Sequence, residues 1–474
     1  MPTATALPAT HVARLLDGWR TAGTSYRALA DRIAVLLEDG RLAAGRRLPA
    51  ERVLATELGI SRTTVSAAYA LLRERRMLET VQGSGSVLAL RGARPTSAAG
   101  PAVADLSNAV PPAWPELPEY VERAAARLPS LLAGVRLDYT GLEQLREQVA
   151  RRYVERGLPT VPDQVMITNG AQHAIGLVLH TLLRRADRLV VDIPSYPHAI
   201  DAFRAAGARI VPIMMPEARP NPGEWERVLR TVRPEFGYLM PDFHNPTGSS
   251  LDAEDRGRLL RAAAAAGTRL LVDETTAELA IDRRGPVPPL AALALGTGAE
   301  VITIGSVGKT VWHGLRIGWI RADRRTIAAI AAARPARDLG TPVLEQIVVA
   351  ELLPDFGAVL LDRAEQLRAT RDAVLVRLAT DLPDWVVPVP AGGLSTWVTL
   401  PAPRSSMLVP AAAALGLRII AGPRFGLDGA FERQLRIPIG GAPEATAAAV
   451  GVLAEAWRST ASAIQHQDAD GPVL

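Results

Sequence analysis

The chain has 474 residues, which is longer than a typical single domain, so we expect two or more domains. Its net charge is only +4, from 53 Lys+Arg and 49 Asp+Glu, and its 48% hydrophobic and 22% charged residues exclude a disordered or strongly charged chain. The lack of cysteine excludes disulfide scaffolds, thiol catalysis and cysteine-ligated metals, and no apolar run reaches the roughly 18 residues of a membrane span, so we expect a cytoplasmic protein.

Lysine is almost absent from the chain. Every one of the 53 Lys+Arg positions except Lys309 is arginine. A genome rich in Ala, Arg, Gly and Pro codons explains why lysines are missing, but it does not explain why one remains. Arginine stays protonated, whereas lysine can lose its proton and form a Schiff base. Composition alone therefore leaves open whether Lys309 has a chemical role.

Positive charge is concentrated at the start of the chain. Residues 1–95 hold 14 arginines against 8 acidic residues, which indicates an anionic partner for this part alone. Within it, residues 1–22 are expected to be a terminal tail.

Residues 23–90 are predicted to form a winged helix-turn-helix. Apolar residues at helical spacing follow Tyr26, a second short helix ends at Gly59, and Ser61 is a good N-cap for a third helix. The stretches LETV and SVLAL, joined by the glycine-rich turn QGSG, predict the two strands of a wing. In this architecture the third helix enters the major groove of double-stranded DNA.

Several residues of this module are candidates for DNA contact, because they lie on the first turn of the third helix, flank it or form the wing. They are Arg47, Arg52, Ser61, Arg62, Thr63, Thr64, Gly83 and Gly85. Each taken alone could equally be a solvated surface residue. The ordered string GRRLPAERVLATELGISRTTVSAAYALLRERRMLETVQGSGSVL resembles the GntR-type winged-helix domain, which implies an operator in double-stranded DNA as partner.

The rest of the chain predicts an α/β domain. A linker rich in small residues and proline (91–104) leads to residues 105–458, where apolar runs such as RLVVDIP and VITIGS alternate with helical stretches. This alternation predicts a largely parallel sheet covered by helices. Residues 459–474 are expected to be a frayed tail.

One group of candidate site residues suits a phosphate. Gly170, Ala171 and Gln172 open a helix, whose backbone N–H groups could hold a phosphate, although a plain helix cap has the same pattern. Ser306 and Arg316 flank Lys309 and suit a second grip on a phosphate dianion.

A second group suits an aromatic ring. Tyr196 either packs in the core or stacks on a flat heterocycle, and Asn245 either caps its turn or donates to a ring oxygen. Asp273 ends an apolar run, where it is either a helix N-cap or the partner of a pyridine nitrogen, which it would keep protonated.

The order NGAQ, SYP, NPTG, VDE and SVGK…LRIG resembles the fold-type I aminotransferases that use pyridoxal 5′-phosphate, over roughly residues 105–455. By that resemblance Lys309 forms the internal aldimine, Asp273 pairs with the pyridine nitrogen, and Arg436 grips a substrate or effector carboxylate. The resemblance also implies that Asn245 contacts the ring oxygen and that Tyr196 stacks on the ring. By the same resemblance, the residues that bind the phosphate group are Gly170, Ala171, Gln172, Ser306 and Arg316.

A GntR-type winged helix joined to an aminotransferase-like domain is similar to the MocR subfamily of bacterial regulators. The resemblance implies a head-to-tail homodimer in which each DNA-binding domain rests over the partner subunit. It also implies that a small molecule acting at the cofactor changes DNA binding.

Some residues depart from the aminotransferase pattern. Thr275 and Thr276 stand where the family usually has a tyrosine bonded to the ring oxygen, so we expect an altered aldimine pKa and weak or absent transamination. Gly308 replaces a common serine, which leaves Ser306 as the hydroxyl, and Tyr139 lies at a spacing that does not match the family's phosphate contact from the partner subunit. The nearby histidines have no metal-ligand spacing; they are His173, His198, His244 and His313.

Three functions remain open from the sequence. The first is a transcriptional regulator that senses pyridoxal phosphate, an amine or an amino acid, and the second is a working aminotransferase that carries a DNA-binding module. The third is a DNA-binding protein whose large domain only dimerises and holds no cofactor.

Overall fold

A computed structural model describes residues 7–16, 19, 25–38, 41–42, 46–81, 85–89, 104–132, 138–283, 285 and 288–469. Among the helices within these ranges, none is both long and apolar enough to cross a membrane.

The amino-terminal module is a winged helix, as predicted. Its elements are α1 (Ala9–Leu15), α2 (Ser25–Glu38), α3 (Glu51–Leu58), α4 (Arg62–Glu74), β1 (Leu78–Val81) and β2 (Gly85–Leu88). The two strands pair antiparallel with Leu78 opposite Leu88. Gly59 ends α3 with a φ of 63°, a left-handed conformation that glycine adopts without strain. Ser61 caps α4 by accepting a 3.1 Å hydrogen bond from the backbone of Thr64.

The start of the chain differs from the expected tail. Helix α1 falls within residues 1–22, and Val12, Leu16 and Trp19 are buried in the core of the winged helix. Val12 and Leu16 are four residues apart, which matches one face of a helix. This part of the chain therefore belongs to the DNA-binding module.

The large domain alternates strands and helices. Its strands are β3 (Ala104–Asp105), β4 (Val165–Thr168), β5 (Arg188–Ile193), β6 (Arg209–Met214), β7 (Phe236–Leu239), β8 (Arg269–Asp273), β9 (Val301–Ser306), β10 (Gly318–Arg321), β11 (Ser395–Thr399), β12 (Leu417–Arg418) and β13 (Gln434–Pro438). Its helices are α5 (Leu117–Leu131), α6 (Glu143–Glu155), α7 (Ala171–Leu182), α8 (Pro197–Ala205), α9 (Pro222–Val232), α10 (Ala253–Ala266), α11 (Leu290–Leu293), α12 (Arg324–Ala333), α13 (Val343–Leu352), α14 (Phe356–Asp381), α15 (Ser405–Ala414) and α16 (Pro443–Ala469).

Seven of these strands form the main sheet in the order β4-β10-β9-β8-β7-β5-β6. Only β10 runs antiparallel to its neighbours, so the predicted, largely parallel sheet is confirmed. The strands are almost wholly apolar because helices cover both faces of the sheet. The carboxyl ends of β4, β5, β7, β8 and β9 meet at one edge, where open α/β sheets bind ligands.

A second, smaller core lies towards the end of the chain. The pair β11–β13 is antiparallel and the pair β3–β12 is parallel, and both pack with α14, α15 and α16. The predicted linker falls outside the described residues except for Ala104, which begins β3. Helix α16 continues to Ala469, into the stretch expected to be a frayed tail, since neither glycine nor proline interrupts it there.

Candidate functional site

Asp273 lies at the end of β8, in the middle of the sheet edge. Asp273 is 2% exposed. Its carboxylate accepts a 2.8 Å hydrogen bond from the hydroxyl of Tyr238 and a 2.9 Å hydrogen bond from the backbone N–H of Thr275. Burial beside Asp273 raises the pKa of Tyr238 well above its usual range, so the phenol stays protonated and donates. Asp273 is thus a buried carboxylate in a fixed orientation that faces a pocket.

Lys309 follows β9 and reaches into the same pocket. Its Nζ donates a 2.9 Å hydrogen bond to the backbone carbonyl of Ala109. Burial and the positive charges of Arg436 and Arg316 lower the pKa of Lys309 to about 8, although Asp273 opposes the shift. An amine with this pKa has a substantial neutral, nucleophilic fraction near neutral pH.

The amino terminus of α7 and Arg316 form one end of the pocket. Gly170 precedes the helix with a φ of 86°, and a Cβ there would lie 2.9 Å from Nη2 of Arg316. The same Nη2 donates 3.0 Å to the carbonyl of Asn169. Ala171 and Gln172 line the pocket beside it. Free backbone N–H groups, the helix dipole and a guanidinium group together suit a phosphate.

Two other predicted phosphate residues already donate hydrogen bonds within the chain. The hydroxyl of Ser306 donates 2.8 Å to the carbonyl of Ile317 and accepts 3.0 Å from the N–H of Gly308. The amide group of Gln172 donates 2.9 Å to the carbonyl of His198. In this orientation the hydroxyl of Ser306 has no proton left for a phosphate, whereas the amide group of Gln172 keeps a second N–H; the backbone and Arg316 supply the other donors at that end of the pocket.

The residues predicted to surround an aromatic ring also line this pocket. Tyr196 lies at the start of α8, and burial and the charge of Asp273 raise its pKa to about 12. Asn245 also lines the pocket, as do Thr275 and Thr276, which follow Asp273. All four polar groups therefore face the same space as Lys309.

Arg436 contacts Asn245 but is not one of the residues that line the pocket. It is 6% exposed, its Nη1 is 3.5 Å from Oδ1 of Asn245, and its Nη2 donates to the carbonyl of Ser107. Its Nε is buried and has no hydrogen-bond partner in the structure. Burial lowers the pKa of Arg436 to about 10, so it is a cation near neutral pH.

Sequence reasoning missed three contributors to the site. Tyr238 belongs to an apolar strand, and the carbonyls of Ser107 and Ala109 belong to backbone that has no side-chain signal. Both carbonyls lie just after β3, close to where the linker joins the large domain.

The four histidines do not form one cluster. His313 lines the pocket, and burial together with Lys309 and Arg316 lowers its pKa. His173 accepts 2.9 Å from the N–H of Asn169, and His198 has its ring edge-on to Tyr196. His244 is buried against Thr247, and burial lowers its pKa to about 3.

On the winged helix, the first turn of α4 lies at the surface. The side chain of Arg62 is 72% exposed, and Ser61, Thr63 and Arg52 are also exposed. The side chain of Arg47 instead packs against Gly85 at the base of the wing, 3.3 Å from where a Cβ of that glycine would lie. Gly83 lies outside the described residues, and Thr64 is partly buried.

The pocket fits pyridoxal 5′-phosphate. It offers a helix amino terminus and Arg316 for the phosphate, a buried carboxylate for the pyridine nitrogen, and an amine for the aldehyde. The absence of a Cβ at Gly170 leaves room where the backbone approaches Arg316. Together the residues provide binding partners both for the phosphate group of this cofactor and for its pyridine ring and aldehyde.

Known proteins share both halves of the chain. Residues 116–453 match the family described as aminotransferase class I and II, and residues 25–88 match the gntR family of bacterial regulatory proteins. A 2-aminoadipate transaminase of Thermus thermophilus is 32% identical over 67% of this chain and 81% of its own. The uncharacterized HTH-type transcriptional regulator YisV of Bacillus subtilis is 26% identical over 81% of this chain and 86% of its own.

Among solved structures, LysN of Thermus thermophilus is similar. This α-aminoadipate aminotransferase was crystallised with N-(5′-phosphopyridoxyl)-L-leucine. The two structures superimpose with a TM-score of 0.69 at 31% identity, over 76% of this chain and 92% of LysN.

Proposed function

Because this chain belongs to the aminotransferase class I and II family and also carries a GntR-type winged helix, we propose that it is a transcriptional regulator that senses a small molecule in the pocket around Lys309. The candidate effectors are pyridoxal phosphate itself, an amine or an amino acid. One observation carries the proposal: Ser107 and Ala109, close to the linker, contact the two side chains that would handle the ligand.

Pyridoxal 5′-phosphate is the cofactor, and when bound it supplies an aldehyde for primary amines and a ring that accepts electrons. Asp273, held by Tyr238 and Thr275, provides the negative charge beside the ring nitrogen. Lys309 provides the amine, and its lowered pKa of about 8 makes that amine available near neutral pH. The buried, unpartnered Nε of Arg436 is suited to a carboxylate.

Ligand binding competes with hydrogen bonds that the chain makes to itself. If Lys309 held the cofactor, its Nζ would have to change its present hydrogen bond to the carbonyl of Ala109. A carboxylate that uses Nη2 of Arg436 as well as the unpartnered Nε would compete with the carbonyl of Ser107. A ligand shifts an equilibrium only by its differential affinity for two states. Here the two states are the chain with the hydrogen bonds to Ala109 and Ser107 and the chain without them.

The segment after β3 is suited to pass this difference to the linker. Its far end is fixed, because Arg363 donates 3.1 Å to the carbonyl of Pro112. Its near end is held by β12 and by the 2.8 Å ion pair between Arg418 and Asp105. A displacement at Ala109 therefore acts on both anchors, and β3 is the anchor that leads to the linker.

The proposal is tested by DNA binding. We expect the protein to bind its own upstream DNA and pyridoxal phosphate to change that affinity by about 5- to 150-fold, the usual range of allosteric coupling. Lys309→Ala should keep the basal affinity and lose the response, whereas the control Arg269→Ala, in an ion pair with Glu300 away from the pocket, should keep both. Absence of DNA affinity in the wild type under either condition would contradict the regulator.

The proposed quaternary structure is the head-to-tail homodimer of the MocR subfamily. Size-exclusion chromatography with light scattering should give twice the 50.4 kDa mass of the chain. A monomer that binds an inverted-repeat operator with full affinity would contradict it.

A working aminotransferase is the second candidate. It is favoured because Asp273 and Arg436 lie close enough to Lys309 to affect its pKa. The presence of Thr275 and Thr276 in place of a tyrosine counts against it. We expect weak or absent turnover with a panel of amino-acid and keto-acid pairs. Thr275→Tyr should move the midpoint of an optical pH titration of the bound cofactor, and an unchanged midpoint would show that the missing phenol is irrelevant.

A further inference from the structure

His173 holds the loop that leads from β4 into α7. Its Nδ1 accepts a 2.9 Å hydrogen bond from the backbone N–H of Asn169. The carbonyl of Asn169 in turn accepts a 3.0 Å hydrogen bond from Nη2 of Arg316, and the next residue, Gly170, precedes the first turn of the helix. Asn169 therefore lies between the two groups that suit a phosphate, and the ring of His173 fixes its amide.

The other nitrogen of this imidazole ring faces a carboxylate. Nε2 of His173 lies 2.9 Å from Oδ2 of Asp338. Because Nδ1 accepts the bond from Asn169, the neutral ring carries its proton on Nε2, towards that carboxylate. Burial lowers the pKa of His173 below its usual range, although Asp338 opposes the shift. The ring is therefore neutral near neutral pH, which is the form in which Nδ1 can accept a hydrogen bond.

Asp338 is itself tied to the strand from which the loop starts. Its Oδ1 accepts a 2.8 Å hydrogen bond from Nε of Arg334 and a 3.0 Å hydrogen bond from the N–H of Gly340. The fully buried Arg334 also donates a 2.7 Å hydrogen bond to the carbonyl of Ile167 on β4. The contacts therefore form a closed ring that runs from β4 through the loop, His173, Asp338 and Arg334 back to β4.

Strand β10 packs closely against the same loop. A Cβ at Gly318, the first residue of β10, would lie 2.8 Å from the carbonyl carbon of Gly170 and 2.9 Å from the backbone nitrogen of Ala171. Only glycine allows the two backbones to approach this closely. With β10 against the loop and His173 bonded to its amide, the start of α7 is fixed in place.

We propose that His173 is a positioning residue for the phosphate of pyridoxal 5′-phosphate, and that it acts through Asn169 on the start of α7 and on Arg316. This inference rests on the proposed function, because it concerns how the same pocket holds its ligand. His173 is not among the residues that line the pocket, so it acts only through the loop. Donors that are oriented before the ligand arrives bind it more tightly, because they lose less conformational freedom on binding.

The experiment compares two stable probes that differ only in the phosphate, N-(5′-phosphopyridoxyl)-L-leucine and N-pyridoxyl-L-leucine. Isothermal titration calorimetry of the full-length protein gives a dissociation constant for each probe. The constant without the phosphate divided by the constant with it measures the contribution of the phosphate. General damage to the pocket weakens both probes and leaves this ratio unchanged, whereas loss of phosphate positioning lowers the ratio.

Three substitutions of His173 separate its two nitrogens. His173→Phe removes both, and His173→Gln removes the acceptor at the δ position; each should lower the ratio by about three- to tenfold, the range expected for one ordinary hydrogen bond. His173→Asn places its Oδ1 close to where Nδ1 lies and should keep most of the ratio. The matched control His180→Phe, two turns further along α7, loses only a contact with Arg337 and should leave both constants unchanged.

Hydrogen exchange of the protein without ligand tests the first step of this inference. The amides of residues 166–173 should exchange faster in His173→Phe and His173→Gln than in the wild type, whereas His173→Asn should remain close to the wild type. Exchange in α10 should be the same in all four proteins. If one variant exchanges faster throughout the chain, the other two substitutions decide the comparison.

The outcomes distinguish this inference from the proposed function. A wild-type ratio in both His173→Phe and His173→Gln, or an equal loss of affinity for both probes, overturns the positioning role. A lowered ratio in a protein whose DNA affinity does not respond to pyridoxal phosphate supports the positioning role and contradicts the regulator. An unchanged ratio together with a DNA response contradicts the positioning role alone.

Discussion

The hydroxyl of Tyr238 lies 2.8 Å from Oδ2 of Asp273, and both side chains are buried at the carboxyl edge of the main sheet. A protonated phenol that cannot rotate away keeps this carboxylate oriented and compensates part of its desolvation.

Tyr238→Phe should therefore weaken the retention of pyridoxal phosphate. Loss of a hydrogen bond to a charged group is worth about 1.5–3 kcal/mol, or roughly ten- to 150-fold in the dissociation constant. The control Tyr153→Phe removes another buried hydroxyl, which accepts 3.0 Å from Trp319, and should leave cofactor affinity unchanged. Equal cofactor dissociation constants for Tyr238→Phe and wild type would exclude the positioning role.

Capture of pyridoxal phosphate by Lys309 should depend on pH with a midpoint near 8. Burial and the charge of Arg436 lower the pKa of this amine to about 8, so the ammonium form dominates below that pH and the neutral amine above it. Stopped-flow absorbance should show the rate rising with pH and then levelling off. Arg436→Gln removes a neighbouring cation and should move the midpoint upward, whereas Arg269→Gln should not; a wild-type midpoint near the ordinary 10.5 would contradict the prediction.

Arg62→Ala should reduce affinity for the operator. The side chain is 72% exposed on the first turn of α4, where a contact with a base edge is worth about 1–3 kcal/mol. Arg324→Ala removes a guanidinium that is 70% exposed on the large domain and serves as the matched control. Fluorescence anisotropy with operator and scrambled DNA would show an equal, small loss for both variants if Arg62 does not reach the bases.

Asp192→Asn should stabilise the protein above neutral pH. Burial raises the pKa of Asp192 to about 7, despite a 2.7 Å hydrogen bond from Nε1 of Trp225. The pKa of Asp192 is higher in the folded state than in the unfolded state. As pH rises between these two pKa values, the free energy of unfolding of the wild type therefore falls by up to about 1.4 kcal/mol per pH unit. Thermal unfolding should be measured at pH values below and above 7. The melting temperature of Asp192→Asn should rise relative to that of the wild type as the pH increases, whereas that of Asp163→Asn, at an exposed position, should not.

Much of the site could be predicted because its residues follow strands. Asp273 ends β8 and Ser306 ends β9, and carboxyl ends of parallel strands must converge. The order of the motifs then indicates a chemical role for Lys309, which composition alone left open. The winged helix was equally predictable, since Gly59 and Ser61 mark the end of one helix and the start of the next.

Other features had no signal along the chain. Every residue has a carbonyl group, so nothing distinguished Ser107 or Ala109 before the fold brought them to Arg436 and Lys309. Asp338 lies far along the chain from His173, and no local pattern indicates that they meet. Helix α1 is a different case, because its apolar spacing was present in the sequence.

The arginine-only composition has a consequence for how this protein can be controlled. Acetylation silences a DNA-binding surface by neutralising lysine side chains, and apart from His11 every basic side chain of the winged helix is an arginine, which that modification does not touch. Guanidinium groups also stay protonated at any physiological pH. The cationic side chains of the DNA-binding module are therefore constant, and what a ligand can alter is where the module is held.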